Sequence, residues 1–181
     1  MARSERGARY REILTHAVCG KGSKYSENTY TINPANRPTT IGGCWVMNHS
    51  YDAELVGDFV EVHGRFDINV WYSYNGNSET AVAKDTVSYV EQIPLRELDP
   101  LCTREGMEVT IKVLQQPNCL DASVVDNGRE IMVRVEKEMA AEVVGRTKVF
   151  VLCAEPPAFK DEEDPIEEDI FVEDEEDDFE D

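Results

Sequence analysis

The side chains able to do chemistry in this 181-residue chain are three histidines (His16, His49, His63), five cysteines (Cys19, Cys44, Cys102, Cys119, Cys153) and 37 acidic residues. Nucleophilic catalysis needs a base and an orienting group beside the nucleophile, and a metal centre needs several ligands converging at fixed spacing. The sequence has no Gly-rich phosphate loop, no nucleophile elbow and no His-Glu-x-x-His motif. Cys44 and His49 fall on opposite parities of one apolar run, a poor geometry for a shared metal. His16 lies beside Thr15 on a helical pattern, and His63 takes the outward parity of a strand. The expectation is surface or packing histidines, no catalytic residue, no metal and no cofactor; the chain does not read as an enzyme.

The cysteines are scattered, odd in number and never spaced Cys-x-x-Cys, which argues against both a zinc site and a disulfide framework. Cys44, Cys119 and Cys153 sit in apolar strand contexts and are expected to pack as small hydrophobes. Cys19 and Cys102, at a predicted helix end and in a predicted loop, are the candidates for exposure and cross-linking.

The carboxylates are concentrated. Fifteen of them lie in residues 161–181 with no basic residue, leaving 22 acidic against 18 basic in residues 1–160. Residues 1–24 lean the other way, with Arg3, Arg6, Arg9, Arg11, Lys21 and Lys24 against Glu5 and Glu12. So dense a run of like charge repels itself and cannot bury enough apolar surface to fold alone. The expected organisation is a basic disordered head (1–8), a folded domain (9–157) and an acidic disordered tail (158–181). Within the tail, Asp161, Glu162, Glu163 and Asp164 are followed by Ile166, Ile170, Phe171 and Phe179, apolar anchors in a charged flexible arm suited to docking partners. A mere solubility tail or a diffuse cation sponge would have the same composition, although no Asp-x-Asp-x-Gly spacing marks a defined calcium loop. No strong basic patch favours nucleic acid. No apolar run approaches a membrane span or a secretory signal, so the expected compartment is the cytosol.

The element that must position everything else is the stretch 65–75, Arg-Phe-Asp-Ile-Asn-Val-Trp-Tyr-Ser-Tyr-Asn. Its strict alternation reads as a half-buried strand, extended backwards through Val62 and Val60 with a kink at Gly64. Asn75-Gly76 marks a tight turn, and residues 80–93 return with a parity slip that predicts a bulge near residues 83–85. Tyr10, Ile13, Leu14, Ala17 and Val18 recur at helical spacing, predicting a short amphipathic helix over 9–19 ended by Gly20 and Gly22. Residues 25–32 read as a weak strand and 44–49 as a strand. Turns are expected at 33–43, 50–52, 115–118 and 126–128, and an irregular connection at 94–106. Residues 107–113, 119–125 and 131–135 read as strands, and 147–153, apolar on both parities, as a central strand. The fold class is mainly β: an antiparallel sandwich or barrel-like domain with one N-terminal helix. Trp71 falls on the outward parity, where it meets either a second covered face or a subunit interface.

Four strings carry a family resemblance: Asn-His-Ser-Tyr-Asp-Ala-Glu at 48–54, Phe-Asp-Ile-Asn-Val-Trp-Tyr-Ser-Tyr at 66–74, Lys-Val-Leu-Gln-Gln-Pro-Asn-Cys-Leu at 112–120 and Ala-Glu-Val-Val-Gly at 141–145. With Tyr-Arg-Glu-Ile at 10–13, these resemble CotE, the outer spore-coat morphogenetic protein of endospore-forming bacilli. The resemblance runs from about Tyr10 to Val151; the tail is similar in character only, residues 1–7 extend beyond the family, and the cysteines outnumber its usual complement. It implies a non-enzymatic, self-associating scaffold made in the mother-cell cytoplasm, assembled at the forespore surface and retained in the spore coat. It also implies attachment to a basement-layer coat protein and recruitment of multiple outer-coat proteins, the N-terminal region serving assembly and the acidic end recruitment. On that reading Arg9, Tyr10, Arg11, Ile13, Leu14 and Trp71 are the assembly candidates, and Asp161, Glu162, Glu163, Asp164, Ile166, Ile170, Phe171 and Phe179 the recruitment candidates. The reading from another class is a monomeric β-sandwich binding module whose tail serves only solubility.

Overall fold

A computed structural model describes residues 9–96, 98–125 and 128–153. Six strands follow in order: β1 (Arg9–Ile32), β2 (Thr40–Val56), β3 (Phe59–Tyr74), β4 (Glu79–Pro94), β5 (Thr103–Val125) and β6 (Glu130–Cys153). They form two three-stranded antiparallel sheets, ordered β1-β6-β5 and β2-β3-β4. The sheets face each other as a sandwich, with β2 against β5 and β1 against β4, so the open-sandwich expectation holds and the barrel-like variant does not.

The long hairpin forms as its alternation predicts. Val60, Val62, Phe66, Ile68, Val70 and Tyr72 of β3 are buried, and positive φ at Asn75, Gly76 and Asn77 makes the turn. The expected bulge near 83–85 is absent: β3 and β4 pair without a break from Phe59↔Pro94 to Tyr74↔Glu79. The apparent slip arises because Val82 points outward, half exposed, while Ala81 and Ala83 face in. Gly64 does not mark a bulge either; it makes room for an aromatic ring, as described below.

The predicted helix over 9–19 is a strand. Residues 9–18 pair with 144–153 of β6, Tyr10 opposite Leu152 and Ile13 opposite Val149. A helix this short is marginal in water, whereas a partner strand rich in Val, Phe and Leu supplies a full ladder, so tertiary pairing overrides the helical spacing. The turn expected at 50–52 is instead a bulge in a continuous β2: its register shifts between Met47 and Ser50, with Asn48 at φ 55. That bulge resets the parity, so Cys44 and His49 both face inward rather than to opposite sides. The turn expected at 115–118 is likewise absorbed as register shifts within β5.

The core has two apolar clusters. One gathers Ile32, Phe66, Ile68, Val70, Tyr72, Ile131 and Val133; the other gathers Val60, Val62, Ile93, Met139, Ala141 and Val143. Between them runs a polar seam. Lys137, only 2% exposed, donates to Glu91 at 2.8 Å and lies 4.2 Å above the Tyr89 ring. Lys24 bonds the other Glu91 oxygen at 2.6 Å. A buried ion pair is tolerated only where its hydrogen bonds are complete. Here Ser26 at 2.9 Å and Asn28 at 3.5 Å accept the remaining Lys137 protons.

Candidate assembly surface

β1 and β6 are 24 residues each, about 80 Å at the rise of an extended strand. β5 does not accompany β6 to its end, because its last pairing in that direction is Thr103↔Arg146. Residues 147–153 of β6 therefore pair with β1 alone. This two-stranded ribbon extends about 20 Å past the sandwich. The central-strand expectation for 147–153 is corrected: the run is apolar on both parities, and much of it faces solvent.

Alternation puts Tyr10, Glu12 and Leu14 on one face of the ribbon with Lys148, Phe150 and Leu152 from β6. Tyr10 is 68% exposed, Leu14 60%, Phe150 58% and Leu152 63%. Within this apolar face the only charges, Glu12 and Lys148, neutralise each other at 2.7 Å. The opposite face carries Arg11, Ile13 and Thr15 with Thr147, Val149 and Val151. An isolated two-stranded ribbon is marginal in water, and an unpaired apolar edge is a template for further pairing.

A collar holds the ribbon where it leaves the body. β1 bulges between Val18 and Gly20, and the bulged Cys19 is buried and joined to Cys102 by a disulfide. The loop after β4 lies along the β1 edge, with the Arg96 and Asp99 amides donating to the Lys21 and Cys19 carbonyls, each at 2.7 Å. Thr147 donates to the Asp99 carboxylate; this bond, with a second from the Leu101 amide, holds Asp99 below the usual carboxylate range. Gly145 packs onto the disulfide, where an added Cβ would come 2.8 Å from Cys102 Sγ. The expectation of no disulfide is thus corrected, as is the exposure assigned to Cys19. The bulge turns that residue inward, and sequence spacing carries no trace of a bridge spanning 83 residues. Cys44, Cys119 and Cys153 are free and half-buried rather than fully enclosed; burial, then a contact with Cys119, pushes the Cys44 thiol up.

Of the assembly candidates, Tyr10, Arg11, Ile13 and Leu14 lie together on the ribbon, and Arg9 begins it, paired with Cys153. Trp71 does not join them. It stands 47% exposed on the outer face of β3, opposite Gly43 and Val82 and next to Asn69, whose partner is Trp45. The expected second covered layer over Trp71 is absent among the described residues. The recruitment candidates at 161–179 lie outside the described residues. Since Arg9 pairs with Cys153, the first and last described residues lie side by side at the tip of the ribbon.

Sequence reasoning missed the polar seam. Its signal was there: Glu91 shares the inward parity of Tyr89 and Ile93, and Lys137 that of Val135 and Met139. Opposite charges on two apolar faces point to a buried pair. Burial alone would push Glu91 up, but hydrogen bonds from Lys137 and Lys24 outweigh it and hold it below its ordinary value. His49 Nδ1–H donates to Gln116 at 3.0 Å, leaving Nε2 to accept the Tyr89 hydroxyl at 2.6 Å. Burial keeps His49 below its ordinary pKa, with the nearby Lys137 charge adding to the effect.

The family model for outer spore coat protein E (CotE) matches residues 9–181. The chain belongs to the CotE family. The match begins at the first residue of the ribbon and continues through the acidic tail, so family membership covers more of the C-terminal segment than the strings quoted above suggest. CotE is a structural family of the spore outer coat. No curated protein and no solved structure matches the chain.

Proposed function

We propose that this CotE-family protein is a self-assembling scaffold of the outer spore coat, in which the β1–β6 ribbon makes contacts between subunits and the acidic tail gathers clients. The exposed apolar face formed by Tyr10, Leu14, Phe150 and Leu152 carries the reading. Contiguous apolar surface on a projecting two-stranded element is characteristic of an interface, since it gains stability only when covered. With Arg9 and Cys153 paired at the ribbon tip, association of ribbons would bring the basic head of one subunit within reach of the acidic tail of its neighbour, adding a salt-sensitive attraction. Assembly begins in the mother-cell cytoplasm and proceeds at the forespore surface, on a basement-layer coat protein, with outer-coat proteins recruited afterwards.

Light scattering and electron microscopy on the purified chain, full length and truncated after Pro157, at low and high salt, test this. Defined oligomers or large particles in both lengths place assembly in the folded part. Monomers in both sink the scaffold and favour a binding module. Binding of clients by the truncated chain rules out the tail as the recruiting arm.

A further inference from the structure

The polar seam assembles the parts of an amide-forming reaction. Lys137 Nζ, a nucleophile whose side chain is 3% exposed, sits 3.5 Å from the carboxamide oxygen of Asn28 and 2.8 Å from Glu91 Oε2. Asn28 lies on the first strand and Lys137 on the last, neighbours in one sheet, with Ser26 directly opposite Lys137. A desolvated lysine becomes a nucleophile once a neighbouring base takes its proton, and one already hydrogen-bonded to the carboxamide oxygen needs only a local shift to meet the carbon beside it. Glu91 is that base, its other oxygen held at 2.6 Å by Lys24.

We propose that Lys137 and Asn28 join in an intramolecular isopeptide bond, with Glu91 as the proton shuttle. Glu91 takes a proton from the Lys137 ammonium, and the freed Nζ attacks Asn28 Cγ. The tetrahedral adduct receives that proton from Glu91 on Nδ2, while Glu91 recovers one from Nζ. The Cγ–Nδ2 bond then breaks and ammonia departs, carrying off the excess proton as ammonium and leaving Glu91 a carboxylate. One C–N bond forms and one breaks, and no oxidant or co-reactant is needed. Asn28 is exposed, which gives the ammonia an exit while Tyr89 covers the amine. The product ties β1 to β6, the two strands that build the ribbon.

Intact mass spectrometry of the reduced full-length chain, followed by tryptic mapping, decides the matter. The expected result is a mass lower by one ammonia, with the peptide containing Asn28 joined to the peptide containing Lys137. Glu91→Gln, Lys137→Arg and Asn28→Ala should each show their full sequence mass and two separate peptides. A wild-type chain that keeps its full sequence mass after prolonged incubation overturns the proposal. So does a loss of ammonia with the two peptides separate, as in a succinimide at Asn28. The wild-type measurement suffices even where a variant does not fold.

Discussion

The Tyr89 ring lies directly over Gly64, its cross-strand partner on the inner face, so closely that a Cβ at position 64 would come 2.3 Å from Tyr89 Cζ. The glycine is thus what lets the ring lie across β3, so that its hydroxyl meets His49 on β2 of the same sheet and its face meets Lys137 of the opposite sheet. Gly64→Ala should force Tyr89 aside and destabilise the domain by about 1–3 kcal/mol, the usual range for overpacking a filled core. Urea unfolding of the variant measures it; a midpoint equal to wild type would mean that the ring is not held there.

His49 makes stability depend on pH. Its pKa in the folded chain lies below the ordinary 6.5, with burial the main cause, so the unfolded chain takes up the proton first as pH falls. Stability from this group is complete above about pH 6.5 and declines as pH drops through the range down to the folded pKa. The urea midpoint should fall between about pH 8 and pH 5, and His49→Gln should flatten that part of the profile. An unchanged slope in the variant would assign the dependence elsewhere.

The Cys19–Cys102 bridge closes a separation of 83 residues, for which chain entropy suggests a contribution of about 4.5 kcal/mol. Reductant, or Cys102→Ser, should lower the melting temperature and raise proteolysis in the loop following β4, which the bridge pins to the β1 edge. Equal melting temperatures with and without reductant would argue against the bridge as part of the collar.

What the sequence made legible follows from where period-two alternation is unbroken. Residues 60–74 and 131–135 alternate cleanly, and both form core strands as read. Bulges and apolar residues on both faces hid the rest. The shift at Met47/Ser50 reset parity within β2, so 50–52 mimicked a turn, whereas residues 9–18 pair without a break and mimicked helical spacing because apolar residues occupy both faces, Tyr10, Leu14 and Val18 on one and Ile13 and Ala17 on the other. Val82 and Trp71 confused the inward–outward pattern because apolar residues also occupy the outer face. Four of the assembly candidates, Tyr10, Arg11, Ile13 and Leu14, were named for a helix and stand together on a strand instead. Phe150 and Leu152, which share a face with Tyr10 and Leu14, were overlooked, because an apolar run on both parities is indistinguishable in sequence from a buried central strand.

The outer-face pair Trp45 and Trp71 offers a contrast to the ribbon. Trp71→Ala should leave stability within about 0.5 kcal/mol of wild type, as expected for an exposed position without buried partners. Thermal unfolding checks this, and a large loss would mean that Trp71 is covered in the assembled protein.

The most direct test of the central claim is light scattering on the full-length chain beside a Leu14→Ser, Phe150→Ser double variant, at equal concentration and in high salt. Both residues are exposed, so the variant should keep the wild-type circular dichroism. The account predicts assemblies in wild type that persist in salt and collapse to small species in the variant. Wild-type-sized assemblies in the variant would contradict the ribbon as the contact between subunits.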